Sequence, residues 1–162
     1  MVAESIRALK EHGDKAYAAR DFAKATEWYS EALESVQDVA VLSNRSATYS
    51  QRRRFDKALV DAERALKLDP GWPKLYHRRG YALFHLGRFE EALAAFQQGL
   101  KLEPKEPSLL EALAKLEEYT EPGPTFLSST PSEPDAQRAD LPEASLPKST
   151  ASSKSARPKR VG

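Results

Sequence analysis

The sequence predicts an all-α fold of three helical hairpins followed by a capping helix. Three observations carry this prediction: segments that recur at steps of 33 and then 34 residues, apolar residues at helical spacing, and prolines that close two of the units, in KLDPGW and KLEPKE. A repeat of this length accommodates one pair of short helices. Stacked pairs bury a continuous core that no single pair could form.

The repeat is visible in three aligned phrases, DFAKATEWYSEAL, RFDKALVDAERAL and RFEEALAAFQQGL. The matching positions are Phe22/Phe55/Phe89, Ala25/Ala58/Ala92, Ala32/Ala65/Gly99 and Gly13/Ser46/Gly80. Small residues at these positions let the two helices of one hairpin cross closely. Aromatic residues, including Tyr29 and Phe96, are expected to fill the space between neighbouring hairpins.

The repeats set the order of the elements. First helices are expected at about 3–19, 39–52 and 72–86, and second helices at about 22–36, 55–68 and 89–102, within repeats at about 6–38, 39–72 and 73–106. The segment EPSLLEALAKLEEY predicts a seventh helix at about 107–119, with Pro107 in its first turn and leucines on one stripe. This helix would cover the open apolar face of the last hairpin.

Composition divides the chain after the seventh helix. Up to about Tyr119 it is rich in Ala, Leu, Glu, Lys and Arg, whereas residues from Thr120 onward are dominated by Pro, Ser and small residues with one aromatic, Phe126. Such a segment cannot bury enough apolar surface to offset its ordering entropy. We therefore predict a domain at 1–119 and a disordered tail at 120–162.

The residue inventory gives no reason to expect an enzyme. The chain has no cysteine, and its three histidines lack partners at a metal-like spacing. It also contains no glycine-rich phosphate loop and no nucleophile motif. We therefore expect no catalytic residues, no metal and no cofactor.

Charge and hydropathy indicate where such a protein would act. The net charge of +1 gives no overall attraction to nucleic acid or membrane, and no apolar run is long enough for a signal peptide or a membrane span. We expect a soluble monomer of the cytoplasm. The tail end SKSARPKR is either a weak nuclear-import signal or a plain solubilising end.

Two cations stand out in the third first helix. Lys74 and Arg78 are four residues apart, so both project from one helix face, where like charges cost about 0.2–0.5 kcal/mol. Either they are solvated at almost no cost, or an anion lies across them. Charge-assisted hydrogen bonds contribute about 1.5–3 kcal/mol each, so an anionic ligand would outweigh the repulsion.

The phrases ALKEHGDKAY, LSNRSATY and GWPKLYHRRGYAL resemble the carboxylate-clamp tetratricopeptide-repeat (TPR) domains of co-chaperones, most closely the first such domain of the heat-shock-chaperone organising protein. The resemblance implies a right-handed superhelix with first helices along a concave groove. It also implies that Lys10, Asn44, Lys74 and Arg78 hold the terminal and side-chain carboxylates of a chaperone tail ending Glu-Glu-Val-Asp. The partners would be heat-shock chaperones of the 70- and 90-kilodalton classes.

One position departs from the family pattern. Asp14 stands where the family has an asparagine, and an ionised aspartate can only accept hydrogen bonds. It would repel a bound chain end unless it pairs with Lys10 or is protonated. Asp14 therefore favours an alternative, a TPR scaffold that binds another partner without needing a free C-terminal carboxylate.

Overall fold

The computed structural model describes residues 2–120, which contain seven α-helices and no strand. The helices are α1 (Val2–Ala18), α2 (Phe22–Ser35), α3 (Val39–Gln51), α4 (Phe55–Leu68), α5 (Pro73–His85), α6 (Phe89–Leu102) and α7 (Pro107–Thr120). The all-α prediction is confirmed, and each predicted helix end lies within one residue of the observed end. Except for Thr120, which ends α7, the predicted tail lies outside the described residues, and its disorder remains a prediction.

Local sequence signals start the helices. The carboxylates of Asp21 and Asp38 accept hydrogen bonds from the backbone N–H groups of Lys24 (3.0 Å) and Val41 (2.9 Å), capping α2 and α3. Pro73 and Pro107 open α5 and α7, where their missing N–H groups cost nothing. These signals account for the starts of α2, α3, α5 and α7, whereas α4 and α6 begin without a side-chain cap.

The turn inside each hairpin repeats one backbone conformation. Arg20, Arg53 and Gly87 have φ values of 63°, 58° and 78°, in the left-handed region that ends many helices. Only the third of these positions holds glycine, the residue that adopts this conformation without strain. The three hairpins therefore close in the same way despite different turn sequences.

Close packing within each hairpin follows the small residues of the repeat. A Cβ atom on Gly13 would lie 2.4 Å from Cε1 of Tyr29, and one on Gly80 would lie 2.3 Å from Cε1 of Phe96. In the second hairpin, Ser46 Oγ donates a 2.7 Å hydrogen bond across to a backbone carbonyl of α4. Each ring packs on the glycine of its own hairpin and also belongs to a core cluster that includes residues of the neighbouring hairpin, in line with the expectation from the sequence.

The buried residues form two core clusters, one from α2, α3, α4 and α5 and the other from α4, α5, α6 and α7. The most deeply buried members include Tyr29, Val41, Leu42, Leu75, Leu83, Phe96, Leu109 and Leu116. A Cβ atom on Gly99 would lie 2.7 Å from Cδ1 of Leu109, so α6 and α7 meet at close range. The helix at 107–120 thus covers the last hairpin, as the sequence predicts.

The arrangement of the first helices positions the candidate site. Helix α3 contacts both α1 and α5, so the three first helices lie side by side. Residues at matching positions of the repeat are thereby brought to one surface. Among residues 2–120, no helix combines the length and apolar character needed to cross a bilayer.

Candidate functional site

The five residues named from the sequence lie together on the first helices. Lys10 and Asp14 belong to α1, Asn44 to α3, and Lys74 and Arg78 to α5. A cavity of about 270 Å³ lies among these helices. Its lining residues are Asp14, Tyr17, Tyr29, Asn44, Ala47, Lys74 and Arg78. Lys10 is outside this lining but is joined to it through Asp14.

Asp14 forms the centre of a hydrogen-bond network that crosses three helices. Its Oδ2 accepts a 2.7 Å bond from Nζ of Lys10 in an ion pair one helical turn apart. Its Oδ1 accepts bonds from the Tyr29 hydroxyl at 2.6 Å and from Nδ2 of Asn44 at 2.9 Å. Of the two ways to relieve repulsion at Asp14, the structure shows the pairing with Lys10.

The same contacts keep Asp14 ionised. Partial burial alone would raise the pKa of Asp14, but hydrogen bonds from Lys10, Tyr29 and Asn44 outweigh it, and the net pKa lies below the ordinary value. Burial and the Asp14 carboxylate together raise the pKa of Tyr29 well above its usual value. At neutral pH, Asp14 is therefore an acceptor and the Tyr29 hydroxyl a donor.

The opposite wall of the cavity carries the positive charges of Lys74 and Arg78, which form no salt bridge within residues 2–120. Lys74 is exposed and takes part in no salt bridge among residues 2–120. The Nε atom of Arg78 is buried and has no hydrogen-bond partner in the described part of the chain. Burial lowers the pKa of Arg78, since it disfavours the charged form, although Tyr17 opposes this effect. The guanidinium nevertheless remains charged.

Sequence reasoning missed three lining residues: Tyr17, Tyr29 and Ala47. Tyr17 and Ala47 each follow a named residue by three positions, a spacing that returns to the same helix face. That signal was available in the sequence. Tyr29 comes from a second helix, and only the small Gly13 beneath its ring lets its hydroxyl reach Asp14.

A second, larger cavity of about 510 Å³ also uses α5. Its lining consists of His77, Tyr81, Phe84, His85, Phe96, Ser108, Glu111, Ala112 and Lys115, from α5, α6 and α7. Aromatic rings dominate this lining, in contrast to the charged cavity. Apolar side chains of a ligand would therefore be favoured there.

The histidines of the described residues make contacts with aromatic rings. The ring of His12 lies 4.9 Å from that of Trp28, and His85 stacks on Phe55 at 4.4 Å. Burial and the nearby charge of Arg53 lower the pKa of His85 to about 4. Within the described range, no group of three or more His, Asp or Glu side chains could hold a metal ion.

Comparisons with known proteins identify the same architecture. The family model described as "Tetratricopeptide repeat" matches residues 46–117. Small glutamine-rich tetratricopeptide repeat-containing protein 2 of Mycosarcoma maydis is 44% identical over 81 residues, which are 49% of this chain but 23% of that protein. The chain thus spans less than a quarter of this relative.

Two solved structures are similar over most of their length. The TPR domain of Arabidopsis OM64 has a TM-score of 0.71 and 31% identity, covering 74% of this chain and 99% of that one. The first TPR of Spaghetti (RPAP3), bound to the HSP90 peptide SRMEEVD, has a TM-score of 0.69 and 28% identity, covering 71% and 92%. The resemblance to tetratricopeptide-repeat domains that the sequence indicated is confirmed.

Proposed function

We propose that this chain, which belongs to the tetratricopeptide-repeat family, is an adaptor that holds the acidic C-terminal peptide of a heat-shock chaperone. Binding, rather than chemistry, is its activity. Lys74 and Arg78 receive a carboxylate of the chain end, while Lys10, Asp14 and Asn44 form the other side of the same groove.

The observation that carries this proposal is the state of Arg78. The Nε–H donor of Arg78 is buried without a partner among residues 2–120, which is costly because the donor has lost water without gaining an acceptor. A carboxylate in the adjacent cavity would give the guanidinium an anionic partner, and Arg offers a planar fork that suits a carboxylate. Lys74 adds a second positive charge one helical turn away.

The chemistry of a peptide end fits this arrangement. A peptide's C-terminus carries a main-chain carboxylate that an internal segment lacks, and this negative charge would be attracted to Lys74 and Arg78. The peptide SRMEEVD bound by the RPAP3 domain ends in this way. We expect an affinity near 1 μM, which corresponds to about −8 kcal/mol.

The test is a pair of calorimetric titrations with the peptide Ser-Arg-Met-Glu-Glu-Val-Asp. One sample has a free C-terminus and the other an amidated one, so the two differ only in the terminal carboxylate. The free form should bind at least about tenfold more tightly, as expected for one charge-assisted contact. Equal binding of both peptides would contradict the proposal.

Alanine variants locate the contact. Arg78→Ala and Lys74→Ala should each weaken binding of the free peptide by about 10- to 100-fold, the equivalent of about 1.5–3 kcal/mol. Neither should change binding of the amidated peptide by a comparable factor. A variant that has lost only the carboxylate contact weakens binding of the free peptide alone, whereas a misfolded groove weakens binding of both peptides.

The aromatic cavity of about 510 Å³ favours a second candidate, a scaffold that binds an internal segment of another protein. Such binding would use apolar contacts and would not need a free chain end. Ala112, half-buried in the cavity lining, offers the discriminating variant Ala112→Trp, which fills the cavity. Partner capture that survives Lys74→Ala with Arg78→Ala but fails in Ala112→Trp would support the scaffold.

A further inference from the structure

Asp14 places a fixed anion inside the groove that is proposed to receive anions. Its carboxylate takes one hydrogen bond from each of three helices, through Lys10 on α1, Tyr29 on α2 and Asn44 on α3. Donors from three separate elements restrain the carboxylate, although the Asp14 side chain is 41% exposed. The carboxylate is therefore part of the cavity wall whenever a ligand arrives.

The network divides the donors of the groove into two groups. The charge of Lys10 and part of the amide of Asn44 are already engaged by Asp14. Lys74 and Arg78 make no salt bridge within residues 2–120, and Arg78 Nε lacks any partner there. Of the three cations named for the groove, the two that form no salt bridge within residues 2–120 both belong to α5.

We propose that Asp14 occupies the place of a second ligand carboxylate, so that the groove selects chain ends bearing a single carboxylate at their last residue. This inference rests on the proposed function, since it concerns the same groove and the same peptide end. The main-chain carboxylate binds at Lys74 and Arg78. The last side chain then faces Asp14, where a second anion would be repelled and a hydrogen-bond donor accepted.

The favoured last residue is therefore one with a neutral donor, such as asparagine. Its side-chain amide has the size of an aspartate but can donate to Asp14 instead of opposing it. An aspartate at the same place would have to compete with Asp14 for Lys10 and Asn44. The preferred ligand is thus an acidic peptide whose final side chain is uncharged, and a chaperone tail that ends in aspartate binds in the same groove but less tightly.

The test compares two peptides with free C-termini, Ser-Arg-Met-Glu-Glu-Val-Asp and Ser-Arg-Met-Glu-Glu-Val-Asn, by calorimetry on the unmodified protein. They differ in one side chain and share the main-chain carboxylate. We expect the Asn-ended peptide to bind at least about threefold more tightly because of like-charge repulsion at Asp14. Tighter binding of the Asp-ended peptide would overturn the inference.

Two variants should move this preference in opposite directions. Asp14→Asn removes the anion and should shift the ratio of the two affinities by about tenfold or more toward the Asp-ended peptide. Lys10→Ala leaves Asp14 without its cation and should shift the ratio toward the Asn-ended peptide. A purely structural role of Asp14 would change both affinities together, and an unchanged ratio in both variants would also overturn the inference.

The outcomes separate this inference from the proposed function. If the Asp-ended peptide binds more tightly than both its Asn-ended and its amidated forms, the chain-end function stands and the selectivity is wrong. If amidation changes nothing for either peptide, or if neither peptide binds, the chain-end function fails and the selectivity fails with it. Each result therefore decides at least one of the two.

Discussion

The substitution Arg78→Met should stabilise the free protein while removing its ligand binding. Arg78 Nε is buried with no hydrogen-bond partner among the described residues. A buried donor left unsatisfied costs about 1–3 kcal/mol, and methionine keeps an unbranched apolar stem of similar reach. We therefore expect the free energy of unfolding to rise by about 1–2 kcal/mol.

The adjacent residue supplies a matched control. Arg79 lies next in the same helix, but its Nε forms a 3.1 Å ion pair with the Glu63 carboxylate, at side-chain exposures of 24% and 44%. Arg79→Met removes a satisfied, partly exposed pair, which is worth about 0–1 kcal/mol. This control should lower stability slightly or leave it unchanged, the opposite sign from Arg78→Met.

Thermal unfolding followed by circular dichroism measures both variants. For a domain of about this size, 1 kcal/mol shifts Tm by roughly 3–6 °C, so Arg78→Met should unfold at least about 3 °C higher. Adding the free-ended peptide should raise Tm of the unmodified protein but not of this variant. A Tm of Arg78→Met as low as that of Arg79→Met would refute the reasoning that Arg78 Nε is a buried donor whose lack of a partner destabilises the free protein.

Three further substitutions test the fold around the groove. Gly80→Ala places a Cβ 2.3 Å from the buried ring of Phe96, so the free energy of unfolding should fall by about 1–2 kcal/mol. The control Gly71→Ala, whose new Cβ would have its nearest atom 3.5 Å away, should leave Tm nearly unchanged in the same thermal melts. Asp61→Ala leaves the guanidinium of Arg45 without the carboxylate to which it donates hydrogen bonds of 2.7 and 2.8 Å, so urea unfolding should show a loss of about 3–5 kcal/mol in the free energy of unfolding. Replacing both residues by apolar ones should restore most of that free energy. The pKa of His85 is about 4 in the folded protein, below its ordinary value of 6.5. The stability that its neutral form contributes is therefore present above pH 6.5 and is lost as the pH falls toward 4. Because phenylalanine does not titrate, His85→Phe should flatten the curve of Tm against pH between these two values.

Much of the fold could be predicted because the sequence signals for helix ends are local and those for helix crossings recur with the repeat. Helix caps such as Asp21 and Asp38 act within one turn, and the repeat places Gly13 and Gly80 at equivalent crossings. The convergence of the five candidate residues also followed from the repeat, since matching positions of stacked units share one surface. Their role in binding a peptide remains a prediction.

The details of the site could not be predicted, because they depend on atoms from separate helices. The contact of Tyr29 with Asp14 requires both the ring position above Gly13 and a particular side-chain rotamer. The burial of Arg78 Nε depends on how α5 packs among its neighbours. Spacing in a sequence gives the face of a helix but not the depth of one atom below the surface.

The most direct measurement of the central claim is the NMR signal of the Arg78 Nε–H group, assigned by its loss in Arg78→Met. In the free protein this group has no acceptor among residues 2–120. On titration with the free-ended peptide, the signal should move downfield and exchange more slowly with water as the carboxylate binds the guanidinium. The amidated peptide should leave it nearly unmoved. A signal that stays in place while the free-ended peptide saturates the protein would contradict the account.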